Sequence, residues 1–556
     1  MRRWMIVPLL LLAALSALSQ TAPAAYWVRC ADRASTPYSF TTPSEYLSPR
    51  ALARREQQGV AIASLDLPID PAYVNALLSA GDFHLVNRHK WFNAVTINST
   101  DTLALDTLDQ LPFILQVRMT NDGHTRALRS IEKFPVVTKQ EIGNYYHNIY
   151  GASFRQIEMM NGHLLHEAGA RGEGMLIGIL DSGFEDADSL PAFIDLRARH
   201  GIVYTRDMAF ADGDVYDDHW HGRSVLSCIA GHVPGQLLGT APRADVALFR
   251  TEVVANEYLW EEDNWVSGAE VADSLGCDVL NTSLGYTQFD DSTQDHTYAN
   301  LDGATTRISI AAGIASRKGM IPVQSAGNEG SGAWHYISAP ADAIDIISVG
   351  ATGTYRELAP FSGRGPSADG RVKPDVAAVG WGAAGLGSDG AEVAEISGTS
   401  FSSPITAGLV ACLWQLHPQN TAHEVMAAIR ASASQHERPD DDFGYGIPDF
   451  WRAHLLLGGE DLTGLRASSI LRIWPDPFTD HFVVEWFSGY ASRISLALHD
   501  SNGRVVWEAE DEVDPLVYQQ LRVGDQRLAE LPAGAYLLRA TSASEEMVTS
   551  LFKIDR

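Results

Sequence analysis

The sequence predicts an α/β chain: a parallel sheet with helices on both faces, preceded by a small α+β unit and followed by a β-sandwich. Three observations predict this order. Apolar runs of strand length alternate with helical runs in the middle of the chain, while helix-start signals mix with alternating strands before it. Short alternating strands separated by turn residues follow it. A length of 556 residues suits about three or four folded units.

Residues 1–25 are expected to be a signal peptide and not part of the fold. Met1–Arg3 is basic, Met5–Leu18 is apolar, and Ala22–Ala25 offers small residues for cleavage. No later run reaches the roughly 18 apolar residues that a membrane helix needs. We therefore expect an exported mature protein without a transmembrane helix.

Residues 26–138 are predicted to form the small α+β unit. Ser48 followed by Pro49 is typical of a helix N-cap and first helical residue, and alternating apolar runs elsewhere in this region predict strands.

Three short motifs in the middle of the chain carry most of the chemical information. Asp181, His221 and Ser400 stand in D-S-G, H-G and G-T-S, in the order Asp, His, Ser, which is one of three orders known to build a nucleophilic triad. A serine hydroxyl needs an imidazole to take its proton and a carboxylate to orient that imidazole. The sequence supplies one candidate for each role.

The surroundings of these motifs strengthen the hypothesis. The apolar run Met175–Leu180 ends at Asp181, which predicts a buried strand with a carboxylate at its carboxyl end. His221 is expected at the start of a buried helix, and Ser400 is expected to open another, where the helix N-terminus favours negative charge. His219 is interpreted as a surface loop residue.

Two further segments complete the candidate site. Asn328 follows the predicted strand Met320–Ser325 and is a candidate hydrogen-bond donor to an oxyanion, although a turn asparagine with positive φ is the alternative. Ser283, Leu284 and Gly285 follow another predicted strand, and this segment is expected to pair with an extended peptide substrate.

With these residues in view, positions of roughly 150–455 resemble the subtilisin-like serine proteases. The resemblance also rests on segments in family order: Gly239-Thr240-Ala241-Pro242, Ser338-Ala339-Pro340-Ala341, Phe361-Ser362-Gly363-Arg364-Gly365-Pro366 and Lys373-Pro374-Asp375-Val376. It implies that Asp181 orients the base, that His221 is the general acid and base, and that Ser400 is the nucleophile. Asn328 and the Ser400 backbone N–H would then bind the oxyanion.

The protease-like domain is assigned to residues 139–458, and it departs from the family at one position. Arg223 stands where the family usually has threonine after His-Gly. We expect this cation to lie beside the site and to alter the surroundings of the histidine or the preference of the cleft for acidic residues.

The α+β unit of residues 26–138 resembles the propeptide of subtilisin-like zymogens, with an ordinary N-terminal domain as the alternative. The resemblance implies an inhibitor that occupies the cleft and is removed on maturation. Thr138–Glu141 is a polar stretch where release is expected.

Residues 465–556 are predicted to form the β-sandwich, with Asn502-Gly503 as a hairpin turn. The last strand is expected to bury Leu551 or Phe552 and to expose Lys553. This unit resembles the sorting domain of type IX secretion systems, which implies the secretion machinery as partner and a route through the periplasm to the surface or medium.

Composition limits the partners and cofactors. A formal net charge of −28 argues against nucleic acid. Four scattered cysteines predict neither a disulfide framework nor a zinc site, and Cys228 and Cys412 are expected to pack as small apolar residues.

No cofactor is expected for the chemistry and no metal is assigned. Structural calcium is common in the family, but the acidic stretch 212–218 fits a solvated charge cluster better than a calcium loop.

The sequence therefore predicts a secreted serine endopeptidase made as a zymogen and acting on protein or peptide substrates. The alternative is a catalytically silent surface adhesin on the same scaffold. An α/β-hydrolase esterase fits poorly, because it requires G-x-S-x-G and the order Ser, acid, His.

Overall fold

The computed structural model describes residues 24–123, 149–210, 213–390, 392–459, 469–487, 493–512, 518–524, 526–542 and 546–554. Nearly all of the expected signal peptide and the expected release stretch Thr138–Glu141 lie outside these residues. The predicted fold class is confirmed: a parallel sheet with helices on both faces stands between a small α+β unit and a set of antiparallel strands.

The N-terminal unit is a four-stranded antiparallel sheet with three helices. Its strands are β1 (Ala24–Cys30), β2 (Phe83–His89), β3 (Ala94–Ser99) and β4 (Ile114–Asn121), in the order β2-β3-β1-β4. Its helices are α1 (Pro49–Gln58), α2 (Pro71–Leu78) and α3 (Thr102–Leu105). The predicted cap of α1 is confirmed, because Ser48 Oγ accepts the Ala51 N–H at 3.0 Å and Pro49 is the first helical residue.

The central unit contains a seven-stranded parallel sheet in the order β13-β12-β11-β10-β5-β9-β6. These strands are β5 (Leu176–Asp181), β6 (Ile202–Asp207), β9 (Asp245–Arg250), β10 (Val279–Thr282), β11 (Ile321–Ser325), β12 (Ile347–Thr352) and β13 (Val376–Val379). Two short antiparallel ribbons accompany them: β7 (His232–Val233) with β8 (Leu237–Leu238), and β14 (Ala383–Leu386) with β15 (Val393–Ile396).

Nine α-helices of the described central unit surround this sheet. They are α4 (Phe154–Glu158), α5 (Gly162–Glu167), α6 (Ile194–Ala198), α7 (His221–Ala230), α8 (Trp260–Leu275), α9 (Arg307–Arg317), α10 (Thr399–Leu416), α11 (Ala422–Ser432) and α12 (Phe450–Leu456). Side chains alternate across each strand, so β5 sends Ile177 and Ile179 into one core and Leu176 and Leu180 into the other. Helices α7 and α10 cover the first core, and α8 and α9 cover the second. A strand buried on both faces therefore appears in sequence as a continuous apolar run.

The C-terminal unit is a sandwich of two antiparallel sheets. One has the order β16-β17-β20 and the other β19-β18-β21-β22, and both contribute to a single apolar core. The elements are β16 (Ser469–Trp474), β17 (Phe482–Phe487), β18 (Arg493–His499), β19 (Val505–Glu512), β20 (Tyr518–Val523), α13 (Gln526–Ala529), β21 (Gly534–Thr541) and β22 (Glu546–Lys553). The predicted hairpin is confirmed, because β18 and β19 pair around a turn that contains Gly503 with φ of +78°.

The expected exposure of the last strand is wrong for Lys553. Leu551 is buried and Phe552 is 51% exposed, but Lys553 is only 5% exposed and its Nζ lies 6.0 Å from the centre of the Phe478 ring. Strand side chains alternate with period two, so Leu551 and Lys553 must share a face.

The N-terminal unit packs against α8 through buried ionic contacts. Asp273 of α8 pairs with Arg54 at 2.6 Å, Arg55 at 2.9 Å and Lys90 at 3.1 Å. One turn earlier, Glu270 Oε1 accepts the Trp91 backbone N–H at 2.8 Å and its other oxygen accepts that of Lys90 at 2.5 Å. A buried charge left without its partner is costly, so these contacts tie the two units together.

The cysteines and the helices can both be compared with the sequence. All four cysteines are buried free thiols, with Cys228 and Cys412 in the apolar core. Among the described residues, no helix is both long enough and apolar enough to cross a bilayer.

Candidate active site

The candidate site lies at the carboxyl edge of the parallel sheet. Asp181 ends β5, Ser283 follows β10, and Asn328 follows β11, and these three strands are neighbours in the sheet. Parallel strands present their carboxyl ends at one edge, so the topology gathers polar side chains that are far apart in sequence.

Asp181 and His221 form a buried pair. His221 Nδ1 lies 2.7 Å from Asp181 Oδ1, and both residues are fully buried. His221 is the first residue of α7, and Gly222 lets the helix approach closely: a Cβ there would lie 2.9 Å from the Asp181 Cβ and 2.3 Å from the Gly183 carbonyl. This close approach is the physical reason for glycine after the histidine.

Ser400 is the second residue of α10, as the sequence predicts for a helix start. The ring of the next residue, Phe401, lies 5.7 Å from the His221 ring between centroids. Within the described residues, Ser400 Oγ donates to the Ser283 carbonyl at 3.3 Å and not to His221. The candidate nucleophile thus directly precedes the residue whose ring lies near the imidazole, and rotation about one side-chain bond sets the direction of its hydroxyl.

Asn328 faces the N-terminus of α10. Its Oδ1 accepts the Thr399 N–H at 2.9 Å and the Thr399 hydroxyl at 3.0 Å. The atom that accepts a backbone N–H must be the amide oxygen, so the amide nitrogen is the group that remains available for donation. It donates to no side chain or carbonyl in the part of the chain that the structure describes.

The segment Ser283, Leu284 and Gly285 continues from β10 past the nucleophile. Ser283 Oγ donates to the Ser400 carbonyl at 2.8 Å, and the Leu284 carbonyl accepts from Ser325 at 3.2 Å. Gly285 is exposed, and its backbone N–H and C=O make no hydrogen bond within the described ranges. An unpaired backbone edge is available for strand addition.

Arg223 does not present its charge to the site, which corrects the expectation from sequence. The side chain is buried, pairs with Glu185 at 2.7 Å, and donates to the carbonyls of Gly387 and Ser388. It therefore ties α7 to the turn after β14. A long side chain can point along or away from a cleft, and the sequence does not reveal its direction.

His219 is a site residue that the sequence analysis missed. It lies in a loop as expected, but it is half-buried and its Nδ1 lies 2.8 Å from Ser182 Oγ. Ser182 in turn contacts Asp181 Oδ1 through its N–H at 2.8 Å and its hydroxyl at 3.2 Å. Only the alternation of two histidines, H-x-H, before the helix could have signalled this arrangement.

The acidic stretch expected to be solvated is partly paired. Asp218 binds Arg250 at 2.5 Å, and the same guanidinium binds Asp207 at 2.8 Å. Asp212 lies outside the described residues. The pairing with Arg250 gives these carboxylates a structural partner within the fold.

A second acidic group was not foreseen. Carboxylate oxygens of Glu252, Glu257 and Glu261, all buried, lie within 4.8 Å of one another between β9 and α8. Both oxygens of Glu261 accept backbone N–H groups, from Val253 at 2.7 Å and from Tyr258 at 3.1 Å. This carboxylate therefore shapes the loop. These residues are spread over a loop and a helix start, so their spacing gave no sequence signal.

Tyr286, next to the candidate substrate segment, contacts this group. Its hydroxyl donates to Glu252. Burial, with a further contribution from the Glu252 carboxylate, raises the pKa of the Tyr286 hydroxyl well above its usual value. The hydroxyl consequently acts as a neutral donor beneath the carboxyl edge of the sheet.

Comparisons with known proteins find similarities for two parts of the chain. Residues 172–446 match the Subtilase family model, Peptidase_S8, and residues 25–134 match the peptidase S8 propeptide domain of Bacteroidota. The chain is 25% identical over 316 residues to subtilisin E of Bacillus subtilis (strain 168), covering 56% of this chain and 73% of that protein.

Membrane-bound transcription factor site-1 protease of Mus musculus is also similar, with 29% identity over 319 residues. That alignment covers 54% of this chain but only 27% of the mouse protein. Subtilisin J of Geobacillus stearothermophilus is 24% identical over 314 residues, covering 56% of this chain and 73% of that protein.

Proposed function

We propose that this chain, which carries a subtilase domain behind a peptidase S8 propeptide domain, is a secreted serine endopeptidase made as a zymogen. The observation that carries the proposal is the buried contact of 2.7 Å between His221 Nδ1 and Asp181 Oδ1, beside a serine at a helix N-terminus. The substrates are protein or peptide segments in extended conformation.

The chemistry follows from the hydrogen-bonding capacity of each group. With Asp181 accepting a hydrogen bond from the His221 Nδ1–H, the other ring nitrogen is left as an acceptor and acts as general base for Ser400. Ser400 Oγ attacks the peptide carbonyl, and His221 then gives the proton to the leaving amine. The Asn328 amide nitrogen and the Ser400 N–H bind the oxyanion, and the helix N-terminus favours its charge.

Substrate binding is assigned to Ser283, Leu284 and Gly285. The exposed backbone of Gly285 supports antiparallel addition of a substrate strand, which gives affinity through main-chain bonds. The Ser283 carbonyl accepts the Ser400 hydroxyl, so the same segment fixes the nucleophile beside the bound peptide.

The N-terminal unit is proposed to inhibit the enzyme until it is removed. Its buried contacts with α8 support a stable complex before cleavage.

The C-terminal sandwich is proposed as a type IX sorting domain, with export through the periplasm to the surface or medium. The support for sorting is the resemblance of its sequence and its independent apolar core.

The test is replacement of Ser400 by alanine in the full chain. The variant is expected to lose nearly all peptide hydrolysis and to remain as an uncut precursor when expressed alone. His221→Ala in addition should cost little more, because triad losses are grossly non-additive. A Ser400→Ala protein that hydrolyses peptides at the wild-type rate contradicts the proposal, and a wild-type protein without hydrolysis supports the silent adhesin.

A further inference from the structure

We propose that His219 is a positioning residue for peptide hydrolysis, which holds the Asp181 carboxylate through the hydroxyl of Ser182. This role rests on the proposed endopeptidase function. Together with Ser182, this histidine joins Asp181 among the side chains that decide where the His221 imidazole lies.

The contacts form a chain that ends on one oxygen atom. His219 Nδ1 lies 2.8 Å from Ser182 Oγ, and Ser182 Oγ lies 3.2 Å from Asp181 Oδ1. The same Oδ1 lies 2.7 Å from His221 Nδ1. A change at His219 is therefore two hydrogen bonds away from the atom that orients the general base.

The single proton of the Ser182 hydroxyl makes this chain directional. An ionised Asp181 only accepts hydrogen bonds, so the hydroxyl must donate to it for the two to be bonded. A lone pair of Ser182 Oγ then accepts a hydrogen bond from the His219 Nδ1–H. Without a donor at that place, the Ser182 hydroxyl rotates away, and of its partners among the described residues Asp181 Oδ1 keeps the Ser182 N–H and His221.

The competing contact of His219 is weaker. The His221 backbone N–H points toward His219 Nδ1 at 3.4 Å, which is long for a hydrogen bond of this type. The distance of 2.8 Å to Ser182 is typical for a strong one. Of these two contacts, the one with Ser182 is thus the stronger.

The surrounding structure fixes the imidazole in this place. The His219 ring lies 5.2 Å from the Trp220 ring and 6.4 Å from the His221 ring between centroids. The backbone carbonyl of His219 accepts the Glu185 N–H at 3.2 Å. Gly183, with φ of +137°, allows the approach, because a Cβ there would lie 2.7 Å from the His219 backbone nitrogen. The glycine of D-S-G therefore admits the loop that carries His219.

Two replacements of nearly equal size separate positioning from packing. His219→Asn keeps a polar atom where Nδ1 lies, whereas His219→Gln moves the polar atom to the place of Nε2 and removes the one at Nδ1. We expect kcat to fall roughly tenfold in the Gln variant with little change in KM, which is the size of one lost hydrogen bond to a charged group, and to stay near wild type in the Asn variant.

Further variants complete the set. Ser182→Ala should match the Gln variant, and the double variant should be no slower than Ser182→Ala alone, because both changes break one chain of contacts. His232→Ala is the control: it removes a partly exposed histidine paired with Asp195 at the far end of α7 and should leave kcat unchanged.

Kinetics are measured on peptide substrates and normalised by titration of active sites with a serine-directed phosphonate, so an unprocessed fraction does not lower kcat. Equal kcat in the Asn and Gln variants, or a loss that appears in KM alone, overturns the positioning role while the proposed function stands. An inactive wild-type enzyme overturns the proposed function and this role with it.

Discussion

At the residue scale, the proposed chemistry depends on how the fold orients a few polar side chains. The motifs predict which residues lie at the sheet edge, because strand ends and helix starts are readable from apolar runs. They do not predict side-chain direction. Arg223 was assigned to the site but turns toward Glu185, and His219 was assigned to the surface but reaches Ser182. Both differences come from contacts between segments that are far apart in sequence or separated by a turn.

The prediction at this scale concerns Asn328. Replacing it with alanine removes the proposed oxyanion donor, so kcat should fall while KM stays nearly constant. The expected increase in barrier is about 3 kcal/mol, a magnitude known for the equivalent donor of a subtilisin and carried over here. Steady-state kinetics on a peptide substrate measure it.

Asn328→Asp is the matched variant for this prediction. It keeps the oxygen that accepts from Thr399 but replaces the donor by a second acceptor, so it should be at least as slow as the alanine variant. An alanine variant with wild-type kcat contradicts the role of Asn328.

At the element scale, hydrophobic period and capping predicted most helices and strands of the site. Strand β5 and helices α7 and α10 appear within a residue or two of their expected positions. The pairing of elements from different units was not predictable. The ionic contacts between α8 and the N-terminal unit join Asp273 to Arg54, more than 200 positions earlier. No local pattern encodes such a contact, because it depends on how two folded units pack.

The prediction at this scale is a pH dependence of inhibition by the N-terminal unit. Burial raises the pKa of the Glu270 carboxyl from 4.5 to about 8. A carboxyl whose pKa is raised in the complex takes up a proton when the complex forms. Binding therefore becomes weaker as pH rises from about 4.5 toward 8.

Asp273 has the opposite sign. Burial opposes its ionisation, but the cations of Lys90, Arg54 and Arg55 outweigh burial and hold its pKa below the ordinary 3.8. Its contribution is therefore lost only as pH falls below that value. Asp273 therefore stays ionised between pH 6 and pH 8, and Glu270 changes protonation in that range.

The measurement is the dissociation constant of the purified N-terminal unit and phosphonate-inactivated mature enzyme across this range. We expect binding to weaken roughly fiftyfold from pH 6 to pH 8 and Glu270→Gln to remove the dependence. Glu357→Gln, at an exposed turn of the protease, is the control. Binding that strengthens with pH in the unmodified protein would show that Glu270 is ionised in the complex and that the sign is wrong.

At the scale of the whole molecule, three folded units have separate cores. Shifts in composition along the chain predicted them, since each unit has its own strand and helix pattern. Contacts between the elements of one unit were harder to predict from the sequence. The buried residues Glu252, Glu257 and Glu261 come together only after β9 and α8 have packed. The separate cores allow each unit to be tested independently.

The prediction at this scale concerns the C-terminal sandwich. Deletion from Leu465 onward removes a unit with its own core, so the protease should remain active on peptides. In a host with type IX secretion, the truncated enzyme is expected to stay in the periplasm. Cell fractionation with activity assays measures this, and wild-type levels at the surface or in the medium would assign the sandwich to binding or stability.

The most direct test of the central claim is covalent labelling of the mature protein by a serine-directed phosphonate, with the modified residue located by mass spectrometry. The account predicts one modified residue, Ser400, and loss of labelling in the His221→Ala variant, because only the serine beside this buried histidine is activated. A mature wild-type protein that hydrolyses peptides yet carries the label on another serine, or labels equally well without His221, would contradict it.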